Sequence, residues 1–419
     1  MTSRLSRHLV RGAASNLHEH RATFPPPPAL RRSPLGELID IVDAAGLRGR
    51  GGAAFPTAVK MRAVAGGRRR PIVVVNGSEG EPASRKDSVL MTLAPHLVLD
   101  GSELAAAAVG ADEVIVGVDA GAPEALRAID TALRERSASD RGGGPRVRVV
   151  TVPTSYVAGE ERSLVHLLNG GPAIPTSGPR PFIRGVRGRP TLIQNVETLG
   201  HLALIGAFGP AWFRGIGPQE MPGSMLVTLW GAVANPGVYE VEVGTTIGDV
   251  IRGAGGAPRA KGGVLVGGYS GTWLQAETAE TVPLQPSGLA AVGGIVGAGV
   301  IAVLPEEACG WSETAGVLGW LAGQTAGQCG PCVHGLAAIA NAAEQMVSGR
   351  GGDAFGRLQR WAGDVQGRGA CGLPDGAVRF LRSALEVFDA DLRAHVRGRR
   401  CAGSRRQRTL PVPEPRRAA

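Results

Sequence analysis

The chain has 419 residues, 43% hydrophobic content and 64 glycines, so it can form two or three hydrophobic cores and is not a disordered composition. Its formal charge of +9 comes largely from short arginine runs, while aromatic residues make up only 4% and do not interleave those runs. This composition argues against a nucleic-acid-binding surface and favours solubilising tails or a docking patch for an acidic partner protein.

Membrane insertion and secretion are also disfavoured. The sequence lacks a run of about eighteen apolar residues, and its first part carries arginines and then prolines instead of an apolar signal segment. Four of the five cysteines lie beyond residue 308, at spacings that favour metal binding over a disulfide framework. We therefore expect a cytoplasmic protein, with peripheral attachment to the inner face of a membrane left open.

Taken in chain order, residues 1–32 form a flexible arm that contains the run Pro25 to Pro28. Ser33 and Pro34 then favour a helix start, and Gly46 favours its end. Alternating apolar runs over residues 33–220 predict an α/β domain with a mostly parallel sheet. The expected strands are residues 72–75, 114–118 and 147–152, and the expected helices include residues 105–109 and 124–134.

The pattern of apolar residues changes twice further along the chain, at about residues 221 and 305. Residues 221–304 predict a small α+β domain, with short strands at 225–229, 238–243 and 264–268 and a helix at 246–254. Helical periodicity over residues 305–396 predicts a bundle that holds a CxxC motif. We expect residues 397–419 to form a basic, disordered tail.

Four polar motifs follow predicted strands or precede predicted helices. The first, GLRGRGGAAFPT at residues 46–57 with Lys60, combines close backbone approach with positive charge, which suits an anion. The second motif, NGSEGEP at 76–82, offers hydrogen-bonding groups for a flavin ring or a ribose. The third, YVAGEE at 156–161, offers a tyrosine that packs against a ring plane and two glutamates that accept hydrogen bonds. The fourth, RPTLIQNVET at 189–198, places Asn and Thr before a helix that caps a phosphate. Each motif alone is also explained by a turn, a solvated loop or a helix cap.

These four motifs, in this order, resemble the flavoprotein subunit of respiratory complex I and its relatives in NAD-reducing hydrogenases and formate dehydrogenases, over about residues 33–390. The resemblance implies FMN and NADH in one cavity, a ubiquitin-like β-grasp (SLBB-like) middle domain and a [4Fe–4S] cluster in the helical bundle. It also implies that the cofactors carry the redox chemistry, so that no side-chain acid or base is required.

The resemblance further implies roles for individual residues. Those expected around the flavin are Gly49, Arg50, Gly51, Gly52, Asn76, Ser78, Glu79, Tyr156, Gly159, Glu160, Asn195 and Thr198. Those expected to face the nicotinamide nucleotide are Phe55, Lys60, Glu81 and Glu161. Those expected to bind the iron–sulfur cluster are Cys329, Cys332 and Cys371.

The sequence departs from this family at the cluster. The family has a CxxCxxC run and a fourth cysteine about forty residues later, whereas here Ala326 replaces the first cysteine. Three thiolates allow a [3Fe–4S] cluster, or a [4Fe–4S] cluster whose fourth iron binds water, His334 or a cysteine from elsewhere, such as Cys309 or Cys401. The alternative is a bundle of buried thiols that has lost its cluster.

The nicotinamide side departs as well. The family places an aromatic residue after the lysine and a Lys-Pro-Pro-Phe segment further on, whereas here Met61 follows Lys60 and residues 177–182 read SGPRPF. Phe182 is a partial replacement. Since stacking contributes about 1–3 kcal/mol per base, loss of one aromatic face weakens NADH binding by about tenfold or more.

Three hypotheses follow. The first is an enzyme that transfers hydride from NADH to FMN and passes single electrons through the cluster to a ferredoxin-like or [2Fe–2S] protein, with assembly into a membrane-associated redox complex left open. The second is an FMN electron-transfer module that does not use NADH. The third is a non-catalytic scaffold that has lost its cofactors.

Overall fold

The computed structural model describes residues 9, 14–24, 36–67, 69–139, 144–257, 262–350, 353–397 and 408–413. Most of the expected arm and tail lies outside these ranges, including Pro25 to Pro28 and Cys401. The expected helix-start pair, Ser33 and Pro34, also lies outside them. The chain divides into two compact units. The first comprises residues 1–80, 85–226 and 238–244, and the second comprises residues 81–84, 227–237 and 245–419.

The first unit alternates helices and strands, as expected for an α/β domain. In chain order its elements are α1 (Leu17–Thr23), α2 (Glu37–Ala45), α3 (Thr57–Ala65), β1 (Ile72–Gly77), α4 (Lys86–Leu93), α5 (Pro95–Val109), β2 (Glu113–Asp119), α6 (Pro123–Ser139), β3 (Arg146–Val152), α7 (Glu161–Leu168), β4 (Thr191–Asn195), α8 (Val196–Phe208) and α9 (Pro210–Phe213). Gly46 ends α2 in the left-handed conformation, with φ of 69°, as its position predicts.

The four strands of this unit form one parallel sheet in the order β3–β2–β1–β4. Residues 72–75 of β1 are completely buried, which is the pattern of a strand covered by helices on both faces. The chain adds β2 and β3 on one side of β1 and then places β4 on the other side. This change of direction makes the carboxyl ends of β1 and β4 the switch point at which open α/β sheets bind ligands.

The apolar runs predict β1, β2 and β3 correctly, but for residues 189–198 the sequence indicates only a polar segment before a helix and no strand. Instead, Thr191–Asn195 is a fully paired strand next to β1. The five-residue strand is shorter than the other three, and its last two residues are Gln194 and Asn195, so its apolar run is too brief to stand out.

The second unit begins with strands and ends with helices. Its β-rich part contains β5 (Ser224–Gly231) and β6 (Gly237–Glu242), which contribute residues to both units, and then α10 (Ile247–Gly253), β7 (Val264–Val266), β8 (Thr272–Leu274), α11 (Ala276–Thr281), α12 (Pro286–Ala290) and β9 (Val300–Val303). β5 pairs parallel with β9, and β7 pairs antiparallel with both β9 and β8. This is the small α+β domain that the sequence predicts.

The helical part of the second unit also agrees with the prediction of a bundle. It contains α13 (Gly310–Gly323), α14 (Ala337–Val347), α15 (Ala354–Val365), α16 (Leu373–Val387) and α17 (Asp389–Val396), with a π-helical turn at Pro331–Leu336. Within the described ranges, every helix falls short of the length and apolar character needed to cross a bilayer.

Candidate functional site

Asn76 and Asn195 bring three of the four motifs together at the carboxyl edge of the first sheet. The two residues are register partners at the ends of β1 and β4. The Asn76 Nδ2 amide donates a hydrogen bond of 2.8 Å to the Gly159 carbonyl, in the loop between β3 and α7. The ends of β1 and β4 and the loop after β3 therefore share one edge.

Three of the predicted flavin residues cap helices at this edge. The Glu79 carboxylate accepts two hydrogen bonds of 3.0 Å from backbone N–H groups in the first turn of α4. Glu160 accepts two from the first turn of α7, at 2.9 and 3.0 Å, and Asn195 Oδ1 accepts one of 3.0 Å from α8. These side chains thus fix helix amino termini, whose dipoles favour a negatively charged group, beside the ends of the strands.

The glycine-rich loop joins the same edge through α8. The backbone N–H of Arg50 donates a 2.9 Å hydrogen bond to Thr198 Oγ1, in the first turn of α8. A Cβ placed on Gly51 would lie 3.5 Å from the Cβ of Asn195. Gly52 has a φ of +103°, which favours glycine. The loop therefore passes beside the strand end, with no side chain at residue 51 to cover its backbone.

The Arg50 side chain is not directed to solvent. It is 4% exposed, and its guanidinium donates to the backbone carbonyls of Arg48, Pro222 and Ser224 at 3.1, 2.9 and 3.0 Å. Burial lowers its pKa to about 10, which leaves it charged at neutral pH. The guanidinium fixes the loop, and its positive charge lies within the interior of the first unit.

Two glycines allow very close backbone approach in this site. A Cβ on Gly80 would lie 2.2 Å from the Ser155 carbonyl oxygen and 3.0 Å from Tyr156 Cα, and a Cβ on Gly159 would lie 3.1 Å from the Ser78 carbonyl oxygen. Between them, the Ser78 hydroxyl is buried and has no hydrogen-bond partner among the described residues. A cradle of this kind, with an unsatisfied hydroxyl and helix amino termini, fits a flavin phosphate and ring.

Two of the four residues predicted to face the nicotinamide nucleotide meet. Lys60 on α3 forms an ion pair with Glu161 at the start of α7, and its Nζ also donates a 2.7 Å hydrogen bond to the Ile193 carbonyl. Phe55 is 51% exposed in the glycine-rich loop. Glu81 belongs to the second unit, where its Oε2 accepts a 2.8 Å hydrogen bond from the backbone N–H of Tyr269.

Phe182, the expected partial replacement for the missing aromatic residue, is less exposed than Phe55. Its ring is partly buried and packs against the main hydrophobic core of that unit. Phe55 is therefore the aromatic residue that the structure leaves available for stacking in the glycine-rich loop.

A buried ionic cluster lies near the carboxyl edge of the first sheet. The sequence did not predict this cluster, although two of its members, Lys86 and Asp87, fall within the region that resembles the flavoprotein family. Lys86 Nζ is 2.6 Å from Asp87 Oδ1 and 2.8 Å from Glu197 Oε2, and Asn195 Nδ2 donates to Asp87 Oδ2 at 2.6 Å. The sequence signal was a lysine and an aspartate directly after an acidic loop, which cannot show that Glu197, more than a hundred residues later, completes the cluster.

The cluster perturbs the titration of its carboxylates in opposite directions. Burial raises the pKa of Asp87 to about 7, and the attraction of Lys86 opposes this only in part. Burial also disfavours charge on Glu197, but Lys86, His201 and Arg50 outweigh it and lower its pKa to about 2. Asp87 is thus the group in this site whose charge changes near neutral pH.

In the second unit, the structure brings the three cysteines of the bundle together. The side chains of Cys329 and Cys332 are hydrogen-bonded, and the backbone N–H of Ala370 donates to Cys329 beside Cys371. Burial, reinforced by Cys329 and Cys371, raises the pKa of the Cys332 thiol to about 12. Among the described residues, no three His, Cys, Asp or Glu side chains are arranged to share a single metal ion.

Cys309 lies elsewhere in the bundle. Its thiol is 2% exposed, accepts a 3.3 Å hydrogen bond from the Ser312 backbone N–H at the start of α13, and lies 3.3 Å from His395 Nε2. This thiol is therefore held as a helix cap.

The fold and site define a flavoprotein with an attached iron–sulfur bundle, and comparison with known proteins supports this class. Residues 42–203 match the family described as the Nuo51 FMN-binding domain, residues 226–267 match the SLBB domain, and residues 313–395 match the NADH-ubiquinone oxidoreductase-F iron-sulfur binding region. The cofactor regions and the middle domain expected from the resemblance are thus confirmed.

Full-length relatives give the family. The chain is 32% identical over 380 residues to the NADH-quinone oxidoreductase F subunit 2 of Rhizobium meliloti, a match that covers 87% of this chain and 90% of the relative. It is 31% identical to the NADH-quinone oxidoreductase F subunit of Mycobacterium tuberculosis, covering 88% and 86%, and 30% identical to the HndC subunit of the NADP-reducing hydrogenase of Solidesulfovibrio fructosivorans, covering 87% and 77%. The chain belongs to the family of NADH-quinone oxidoreductase F subunits.

Solved structures agree with this assignment. The chain resembles NAD+-reducing [NiFe]-hydrogenase in the H2-reduced state, with a TM-score of 0.83 and 29% identity, and in the air-oxidised state, with a TM-score of 0.80 and 31% identity. Each match covers 90% of this chain and 66% of the hydrogenase chain, so this chain spans just under two thirds of the length of those structures.

Proposed function

We propose that this chain oxidises NADH, with hydride transfer to a bound FMN and onward transfer of single electrons through an iron–sulfur cluster to a protein acceptor. The observation that carries the proposal is the pairing of Asn76 with Asn195 at the switch point, which gathers three of the four motifs at one edge of the sheet. The hydrogen bond from the Arg50 N–H to Thr198 adds the fourth motif. When bound, the flavin supplies the conversion between a two-electron hydride and one-electron carriers.

The residues of the first unit bind and orient. The amino terminus of α8, which the neutral amide of Asn195 caps, and the backbone of the loop at Gly49, Gly51 and Gly52 would hold the FMN phosphate. The Ser78 hydroxyl, which is buried without a partner in the described chain, would hydrogen-bond to the ligand, and Tyr156 would pack against a ring plane.

The ion pair of Lys60 and Glu161 would orient the nicotinamide nucleotide. It lies at the junction of α3 and α7, the same helix whose amino terminus Glu160 caps. In this proposal the side chains position the two ligands and exclude water, and none acts as a general acid or base.

An anaerobic titration tests the proposal directly. The full chain is purified without oxygen, loaded with FMN, and mixed with NADH while the flavin absorbance near about 450 nm is followed. Bleaching of this band on addition of NADH supports the proposal. A chain that remains colourless after incubation with FMN would overturn it and would favour a scaffold without cofactors.

A second function, an FMN module that receives electrons from a protein and not from NADH, is favoured by the aromatic residues. Phe55 is exposed, whereas Phe182 is packed against the core, so the adenine would stack on one ring and not between two. If this second function holds, FMN binds and is reduced by dithionite, yet NADH leaves the absorbance unchanged.

The proposed acceptor is an acidic ferredoxin-like or [2Fe–2S] protein within a redox complex. The support is the net charge of +9 and the names of the relatives, which are subunits of larger enzymes. We place this activity in the cytoplasm, at the inner face of the membrane if the complex is membrane-bound. Electron transfer to such an acceptor should slow as ionic strength rises, and a rate independent of salt would argue against an electrostatic partner.

A further inference from the structure

The cluster-binding region supplies three thiols where a cubane cluster needs four ligands. Residues 313–395 match the iron–sulfur binding region, but Ala326 stands at the first position of the cysteine run. We propose that the bundle holds a three-thiolate cluster, in which the iron without a thiolate is bound by solvent and is exchangeable. The inference rests on the part of the proposed function that gives the bundle a cluster, and it does not depend on NADH as the electron donor.

The three remaining thiols of the bundle meet. Cys329 and Cys332 are hydrogen-bonded through their side chains, and the Ala370 N–H brings the segment with Cys371 to Cys329. All three cysteines are free of disulfides. Free cysteine thiols that meet in this way are the donors that iron–sulfur clusters use.

The position that lacks a thiol, Ala326, lies in an exposed loop. Ala326 is half-exposed, and its neighbours Thr325 and Gly327 are exposed. The Thr325 hydroxyl contacts the Cys332 thiol, so this exposed loop runs beside the cysteines. Water therefore reaches the place where the first cysteine of the run would lie.

Two other side chains of the bundle, Cys309 and His334, are the nearest candidates for a fourth protein ligand, and neither is placed to serve as one. The thiol of Cys309 is engaged with Ser312 and His395 at the start of α13. His334 is exposed on the π-helical turn, whereas Cys332 on the same turn is buried. Among the described residues no fourth protein ligand is therefore favoured, and solvent is the expected ligand of the iron that lacks a thiolate.

A solvent-bound iron has a chemical consequence. Ferricyanide would remove one electron from such a cluster, and the unanchored iron would then leave: [4Fe–4S]2+ would become [3Fe–4S]+ with release of Fe2+, while ferricyanide would become ferrocyanide. A fourth thiolate would hold that iron more firmly and slow its loss. The oxidised three-iron cluster is paramagnetic, whereas [4Fe–4S]2+ is diamagnetic, so the two products are distinguishable by EPR.

The test uses the full chain reconstituted with iron and sulfide under anaerobic conditions. The wild type and the Ala326→Cys variant are treated with ferricyanide and a chelator, and iron content and EPR spectra are then recorded. We expect about three irons per chain and an EPR signal for the wild type, and about four irons and no such signal for Ala326→Cys. The matched control, Ala322→Cys on α13, adds a thiol outside the loop and should behave as the wild type.

Three outcomes would overturn the proposal. In the first, the wild type retains four irons as firmly as Ala326→Cys does. A Cys401→Ser variant would then be tested, and its loss of the fourth iron would identify Cys401 as the fourth ligand. Alternatively, neither protein binds iron, or Ala322→Cys stabilises the fourth iron as well as Ala326→Cys does. Bleaching of FMN by NADH is measured on the same samples. If a sample contains no cluster but NADH still bleaches the flavin, the cluster inference is contradicted while the proposed oxidation of NADH stands.

Discussion

Asn76 and Asn195 lie side by side at the ends of β1 and β4, although 119 positions separate them in the sequence. Asn76 reaches the loop before α7 with its amide, while Asn195 caps α8 and donates to Asp87. The pair therefore links two strands, a helix start and a buried carboxylate, and each of these links can be tested separately.

Replacement of Asn195 by alanine removes both the helix cap and the 2.6 Å hydrogen bond to Asp87. We expect Asn195→Ala to lower the free energy of unfolding by about 1–2 kcal/mol and to weaken FMN binding, measured by denaturant titration and by flavin fluorescence. Asn195→Ser, which retains a capping oxygen, should recover most of the stability. Equal stability of the two variants would show that the cap is unimportant.

Substitution of Gly80 tests the close approach of two loops. An alanine Cβ would lie 2.2 Å from the Ser155 carbonyl oxygen, so the loop that contains Tyr156 must move away from the end of β1. We expect Gly80→Ala to destabilise the protein by about 1–3 kcal/mol and to weaken FMN binding. Gly144→Ala is the control, since a Cβ there meets nothing within 4 Å. Unchanged FMN affinity in Gly80→Ala would contradict the shared cavity.

Lys60 should affect NADH more than FMN. We expect Lys60→Met to raise the KM for NADH by about tenfold, which corresponds to about 1.4 kcal/mol, while FMN affinity stays the same. Stability should change little, because partly exposed ion pairs contribute at most about 1 kcal/mol. The control is Arg62→Ala on the same helix, where Arg62 pairs with Asp40 and Asp43 at the surface. A parallel loss of FMN would assign Lys60 to the flavin instead.

The buried cluster predicts a large effect at Lys86. Lys86→Met leaves the carboxylates of Asp87 and Glu197 buried without their cation, which typically costs about 3–5 kcal/mol. Chemical denaturation measures the change, and Arg127→Met, which removes a surface ion pair with Glu124, should leave the midpoint unchanged. A midpoint in Lys86→Met equal to that of the control would mean that the cluster contributes no net stability.

The pH dependence of stability follows from the opposite shifts of two carboxylates. Between its ordinary value of 3.8 and its folded pKa of about 7, Asp87 is protonated only in the native state, so stability should fall as pH rises through this window. Glu197, with a pKa of about 2, contributes stability above its ordinary value of 4.5 that is lost as pH falls towards 2.

Urea denaturation of the wild type and Asp87→Asn at pH values from about 4 to about 7 measures the first of these effects. We expect the decline to flatten in Asp87→Asn, whereas Asp130→Asn, at an exposed position on α6, should follow the wild type. Parallel curves for Asp87→Asn and the wild type would exclude Asp87 as the titrating group.

The strands and caps show how far the sequence is predictive. Residues 72–75, 114–118 and 147–152 form strands because their apolar runs are local signals, and Gly46 ends its helix for the same reason. β4 was missed, because a five-residue run that ends in Gln194 and Asn195 resembles a loop until its partner β1 is known. Likewise, only the tertiary structure shows that Phe182 packs against the core while Phe55 is exposed.

The sequence by itself determined the local elements, the glycine-rich loop at residues 46–57, the family to which the chain belongs and the alanine at the first position of the cysteine run. Only the tertiary structure decided that Arg50 binds backbone carbonyls, that Glu81 belongs to the second unit and that Lys86 meets Glu197. Helix periodicity, capping and turn formation depend on neighbours within a few residues, and so they can be seen in the chain itself. Contacts between residues a hundred positions apart depend on the order of strands in the sheet, which is set by the burial of whole elements against one another.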